Sequence, residues 1–130
     1  MLSQSRTVTI LPVVDVARAR RFYEEKLGLS AGETRADGSV AYHAAGSEFE
    51  LSPRKEPAHN PYTAMGFEVE DVTREVKDLE ARGVAFEDYD SPELRTVGHI
   101  ATMGTERAAW FKDPDGNILC VHDDRSRTRH

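Results

Sequence analysis

Glu50, Cys120 and His122 are the side chains here whose types and spacing could do chemistry. Cys120 and His122 are two residues apart, which puts both on one face of a β-strand. Glu50 alternates with Glu48 and Ser52 in another strand-like run, so these three share a face. A carboxylate, a thiol and an imidazole can hold a metal ion or perform general acid–base work. Without a metal, an enclosed carboxylate must be solvated, hydrogen-bonded or paired with a cation, because burying it alone is costly. It can then read a donor on a ligand, or act as a general base. His43 or His99 could join an offset site built from Glu50, Cys120 and His122; His59 lies in a linker and His130 at the end of the chain. None of these histidines has a recognised metal spacing. Cys120 is the only cysteine, which excludes an intramolecular disulfide and a Cys-rich zinc site. No motif around it activates its thiol. There is no phosphate-cradling glycine loop, no His-Glu-x-x-His helix and no Gly-x-Ser-x-Gly elbow.

The elements that must position these groups come in two similar copies. Val13-Val14-Asp15-Val16 leads into a helix-like stretch ending at Leu27-Gly28-Leu29, and Val69-Glu70-Asp71-Val72 leads into another ending at Arg82-Gly83-Val84. Each copy opens on an apolar run, Val8 to Val14 and Met65 to Val69, that reads as a strand. Asp15 and Asp71 stand where a helix N-cap belongs. Helical spacing follows, with Val16, Ala19, Phe22, Tyr23 and Leu27 on one face of the first helix and Val72, Val76 and Leu79 on one face of the second. Gly28 and Gly83 end the helices. Further strands are predicted near 30–35, 39–43 and 47–52 in the first copy, and at 85–89, 107–112 and 117–122 in the second. Asp113-Pro114-Asp115-Gly116-Asn117 reads as hairpin punctuation. The grammar is βαβββ twice. The copies span about 7–52 and 63–124, joined by a Pro-rich linker over 53–62 and followed by a polar tail over 125–130. An insertion over roughly 90–105 carries Leu94, Val97, His99, Ile100 and Met103 beside two glycines, and reads as a pocket wall or lid.

With 130 residues and 38 % hydrophobic side chains, the chain is sized for one domain with a real core. The formal charge of −6 argues against nucleic acid, which wants a basic face. No apolar run is long enough to span a membrane, and the polar start is unlike a signal peptide. A cytoplasmic location is expected.

The stretch from Val14 to Gly28, with its Asp cap and Phe22-Tyr23…Leu27-Gly28 helix, resembles the opening of the vicinal oxygen chelate superfamily. That superfamily is also called the glyoxalase/bleomycin-resistance/dioxygenase superfamily. Phe67-Glu68-Val69-Glu70-Asp71-Val72 and Trp110-Phe111-Lys112-Asp113-Pro114-Asp115-Gly116-Asn117 are similar to its second copy, so the likeness covers about residues 7 to 124. The resemblance implies an α+β fold in which tandem βαβββ repeats form an open, cupped mixed β-sheet, with helices on the outer face and the ligand in the cup. Strand alternation then sends Leu11, Val13, Phe49, Leu51, Met65, Phe67, Phe111, Leu119 and Val121 towards a helix. It leaves Val8, Ile10, Glu50, Ala64, Trp110, Cys120 and His122 in the cup. Enzymes of the superfamily usually hold one divalent ion with four ligands, and those positions here are Val8, Glu50, Ala64 and Cys120. Val8 and Ala64 have no donor atom, so no metal or other cofactor is expected. The resemblance thus implies a homodimer that binds a small, partly apolar organic molecule by sequestration, through Glu50 and Trp110. Val8, Ile10, Ala64, Cys120, His122 and His99 would line the floor and rim, and the 94–103 loop would cover it. A metal-dependent lyase, isomerase or dioxygenase, or a non-catalytic accessory subunit, are the competing readings.

Overall fold

In the computed structural model, residues 1–57 and 59–126 are described. The end of the basic tail, from Arg127 to His130, lies outside them.

The first copy runs β1 (Thr9–Val13), α1 (Val16–Arg21), β2 (Glu33–Thr34), β3 (Val40–Ala44) and β4 (Ser47–Pro53). The second runs β5 (Thr63–Glu68), α2 (Val72–Ala81), β6 (Ala101–Met103), β7 (Glu106–Lys112) and β8 (Ile118–Asp124). Each copy builds one four-stranded mixed sheet, in the orders β1-β4-β3-β2 and β5-β8-β7-β6. The opening strand of each pairs parallel with the last, and the other pairs are antiparallel. This is the α+β architecture of two βαβββ copies with open sheets. Among the described residues, no helix is long and apolar enough to cross a membrane.

Both helices start for the expected reason. The Asp15 carboxylate accepts from the Arg18 N–H, and that of Asp71 accepts from the Thr73 and Arg74 N–H groups. Beyond Arg21, α1 widens into a π-helical turn over Phe22–Lys26, which keeps Phe22 and Tyr23 buried side by side. Gly28 and Gly83 then take positive φ and stop the helices.

The apolar faces meet in one core. Leu11, Val13, Val40, Phe49 and Leu51 of the first sheet share it with Phe111, Leu119 and Val121 of the second and with Ala19, Phe22, Tyr23, Val72, Val76 and Leu79 of the helices. Ring contacts cross between copies, Phe22 to Phe111 at 6.3 Å and Phe49 to Phe67 at 6.3 Å. The face alternation expected for β1, β4, β7 and β8 is therefore the one observed. Because both sheets turn their helix sides to the same core, their other faces point away from it in different directions.

The Asp-Pro-Asp-Gly-Asn turn joins the copies as well as closing a hairpin. Asp113 Oδ1 accepts from the Asp115 and Asn117 N–H groups, and its Oδ2 accepts from the Tyr23 hydroxyl and Asn117 Nδ2. Asn117 Nδ2 also donates to the Pro12 carbonyl, and Asp115 Oδ1 accepts the Val14 N–H.

Two sequence expectations are corrected here. The segment 85–89 forms no strand; only Phe86 bridges to Phe111, and the Glu87 N–H donates to the Trp110 carbonyl. The Tyr89 N–H then turns to Thr96 Oγ1, and Pro92 beyond it has no N–H to continue a ladder. The fourth strand is instead β6, drawn from within the expected insertion. The strand predicted near 30–35 also shortens to Glu33–Thr34.

A candidate ligand-binding surface

On the face of the first sheet that points away from the core, Ile10, Ala41, His43, Glu48 and Glu50 come together. Cross-strand register pairs Ile10 with Glu50, Ala41 with Glu50, and His43 with Glu48. The Arg35 guanidinium lies 3.4 Å from Glu48 and 3.6 Å from Glu50, and His43 Nε2 is 3.4 Å from Glu48. Glu50 is thus a half-buried carboxylate with a cation beside it, the pairing that enclosure demands. Ile10 is 57 % exposed on this face, and Val8 is exposed just before the strand begins.

The corresponding face of the second sheet carries Trp110 among small residues, with Glu68, Glu106 and His122 at one end. Register pairs Trp110 with Cys120, Ala108 with His122, Gly66 with Cys120 and Glu68 with His122. The indole is held from two sides. Its Nε1–H donates to Thr63 Oγ1 at 3.0 Å, and the Tyr89 ring meets it edge-on at a centroid distance of 5.5 Å. Gly66 opens the surface beside it. A Cβ at Gly66 would stand 3.0 Å from Cys120 Sγ and 3.2 Å from the His122 ring, tight enough that these side chains would have to shift by a few tenths of an ångström. Burial pushes the Cys120 thiol above its ordinary pKa, which disfavours the thiolate and hence nucleophilic use.

The candidate residues are thus divided into two groups. Ile10 and Glu50 lie on one sheet face, with Val8 at its edge; Trp110, Cys120 and His122 lie on the other. Among the described residues no hydrogen bond or ion pair joins the two groups. Ala64 is the extra residue of a bulge in β5, where the register shifts between Thr63 and Met65, and it packs against the core cluster.

His99 is not brought to either face. Its Nδ1 is 2.9 Å from Asp88 and its Nε2 is 3.3 Å from Glu80 on α2, and its ring stacks on Phe86, which belongs to the core. It takes a left-handed φ of 72° to do so. From the expected lid, Ala101 and Met103 stand in register with Ala108 and Glu106 at the rim of the Trp110 face, while Val97 is exposed.

Sequence reasoning missed Thr63, Tyr89 and Arg35. Thr63 precedes the apolar run taken as the strand, and Tyr89 reaches Trp110 only because its segment leaves the sheet. Arg35 could have been found, since it lies two residues beyond Glu33, just past the end of the strand that runs beside Ala41.

The residues present do not fit the divalent ion of the superfamily's enzymes. Val8 and Ala64 offer no donor, which leaves one carboxylate, Glu50, and one thiol, Cys120, of the four positions, fewer than the three protein ligands a catalytic ion usually takes. Among the described residues no group of three His, Cys, Asp or Glu side chains is placed to hold an ion.

Solved structures share the fold at low identity. Lactoylglutathione lyase from Agrobacterium tumefaciens superposes with a TM-score of 0.70 at 17 % identity, covering 98 % of this chain and 98 % of that one. The fosfomycin resistance protein FosX from Listeria monocytogenes gives 0.70 at 16 %, covering 92 % and 93 %. An integron cassette protein from the mobile metagenome of a Halifax Harbour sewage outfall gives 0.65 at 22 %, covering 92 % and 98 %. No curated protein matches the chain in sequence. The family model of the Glyoxalase/Bleomycin resistance protein/Dioxygenase superfamily matches residues 6–121. With two βαβββ copies, the Asp-capped helices and the Asp-Pro-Asp-Gly-Asn turn all in place, the chain belongs to that superfamily.

Proposed function

We propose that the protein binds a small, partly apolar organic molecule without a metal, as a sequestering or resistance-type member of its superfamily. The observation that carries this reading is the make-up of the Trp110 face. An indole fixed by Thr63 and Tyr89 shares its face with the small residues Ala108 and Gly66, with Cys120 and His122 between them. A fixed aromatic wall beside small residues suits a flat or hydrophobic ligand. The Glu50 face supplies the opposite chemistry, two carboxylates and a guanidinium able to read polar groups.

We further propose a homodimer. Exposed Val8 and Ile10 beside the Glu50 face, and exposed Met103 beside the Trp110 face, are apolar surface that association would bury. Pairing the first sheet of one copy with the second sheet of another would complete a cup that one chain leaves in halves. A cytoplasmic setting fits the lone buried thiol.

Trp110 is the only tryptophan, so its fluorescence reports on this face directly. Titration with a set of flat organic molecules, in the presence and absence of a chelator, should give saturable quenching that the chelator leaves unchanged. Trp110→Leu should remove ligand-induced stabilisation in a thermal melt. Stoichiometric divalent metal, with an activity lost on chelation, would overturn the proposal in favour of a metal-dependent enzyme. Light scattering at twice the chain mass of 14.5 kDa is expected for the dimer.

A further inference from the structure

The shared core is not closed everywhere. Between the end of α1 and the second copy lies a cavity of about 210 Å³, lined by Leu27, Leu29, Phe67, Val69, Leu79 and, at its base, Phe111 and Val121. Its apolar walls are helix-side residues of the core, and Glu68 at its edge also borders the Trp110 face beside His122. Its walls come from both copies, so its shape depends on how they pack.

Apart from Glu68 and Glu75, the lining of this cavity is hydrocarbon and aromatic ring. A void with such walls forfeits dispersion contacts on every side, and an apolar group that enters it restores them. The volume falls below that of pockets for drug-sized ligands, about 300–1,000 Å³. It therefore suits a single ring or a short branched chain.

The mouth adds a charge preference. Glu75, in the first turn of α2, lines the cavity beside Glu68 and is half-buried. Among the described residues the Glu75 side chain has no hydrogen bond or ion pair, so it is available to a cation at the mouth. The formal charge of −6 favours the approach of a cation over an anion.

We propose that this cavity is a second small-molecule site. It takes a small organic cation, with one ring or short hydrocarbon chain against the half-buried Leu27, Leu29, Phe67 and Val69 and an ammonium at Glu75. Apart from Glu68 at the edge, the site stands on residues that the cup reading does not use, so either can fail alone.

The test uses methyl-resolved NMR of the full chain with phenethylammonium as the probe and phenylacetate as its anionic counterpart. Saturable shifts are expected at the methyl groups of Leu27, Leu29, Val69, Leu79 and Val121. Phenylacetate should bind at least fivefold more weakly, and Glu75→Gln should weaken phenethylammonium at least threefold. Leu29→Trp should fill the cavity and remove the shifts. If that variant does not fold, Glu75→Gln decides the matter. The absence of saturable shifts, shifts confined to residues around Trp110, or equal binding of the two probes would each overturn the proposal.

Discussion

The Tyr23 hydroxyl donates to Asp113 Oδ2 at 2.7 Å, tying the first helix of one copy to the turn that closes the last hairpin of the other. Both residues are buried, and Asp113 also organises the turn through the Asp115 and Asn117 N–H groups. Removing one partner of a buried hydrogen bond to a charged group costs about 1.5–3 kcal/mol. Tyr23→Phe should lose that much in urea denaturation, and Asp113→Ala should lose more, because it also strands two backbone donors. A loss below about 0.5 kcal/mol for both would show that the turn does not clamp the copies.

Acid stability should depend on Asp123. Burial opposes its ionisation, but bidentate bonds from Arg107, at 2.6 and 3.2 Å, and the Val72 N–H hold its carboxyl below the usual aspartate range. Glu24 is also held low, its burial outweighed by Arg20 and Tyr42. A carboxyl depressed in the folded state stabilises it above the unfolded pKa of about 4, and that stability is lost as pH falls through the folded value. Urea midpoints should therefore drop steeply below about pH 4. Arg107→Met should lower stability at pH 7 and flatten that drop; an unchanged slope would remove Asp123 from the account.

The alkaline limb has the opposite sign. Burial first, and then the nearby carboxylates Asp113 and Glu24, raise the Tyr23 and Tyr42 hydroxyls above their ordinary range. A phenol raised in the folded state stabilises it fully below the unfolded pKa of about 10. Stability should fall as pH climbs past that point, and Tyr23→Phe should remove part of the fall. Thermal melts between pH 8 and 11 measure it.

Gly32 is needed for space. A Cβ there would lie 2.4 Å from Val40 Cγ1 and 2.8 Å from Tyr42 Cζ, both in the core. Gly32→Ala should cost about 1–3 kcal/mol by overpacking. Gly46 has open space around it, so its alanine variant should cost only the penalty of a left-handed φ of 84°, about 1 kcal/mol. Equal costs for the two would refute the distinction.

Thr63 should govern the indole. Thr63→Val removes the acceptor of the Trp110 Nε1–H and should shift the emission of the free protein while leaving its denaturation midpoint nearly unchanged. Ligand quenching should weaken several-fold, because a free indole rotates out of the pose that stacking needs. An unaltered emission spectrum would count against the bond.

Much of this architecture was legible in local chemistry. The Asp caps, the helix-ending glycines and the period-two runs of β1, β4, β7 and β8 each have a short-range cause that survives folding. What the sequence hid was long-range. The 85–89 run has strand-like residues, yet its neighbour on β7 is shared, with Phe111 taken by Phe86 and the far half by β6. His99 looked like a loop histidine near a pocket, but two carboxylates from separate segments draw it back over Phe86. The division of Glu50 from Trp110, Cys120 and His122 depends on how two sheets pack, which no local signal encodes.

That back-to-back packing has an energetic corollary. Among the described residues Glu50 and Trp110 share no partner inside one polypeptide, so the effects of substituting them on its folding should simply sum. Any departure from that sum, seen only when chains associate, would measure how strongly a neighbouring molecule couples the two halves.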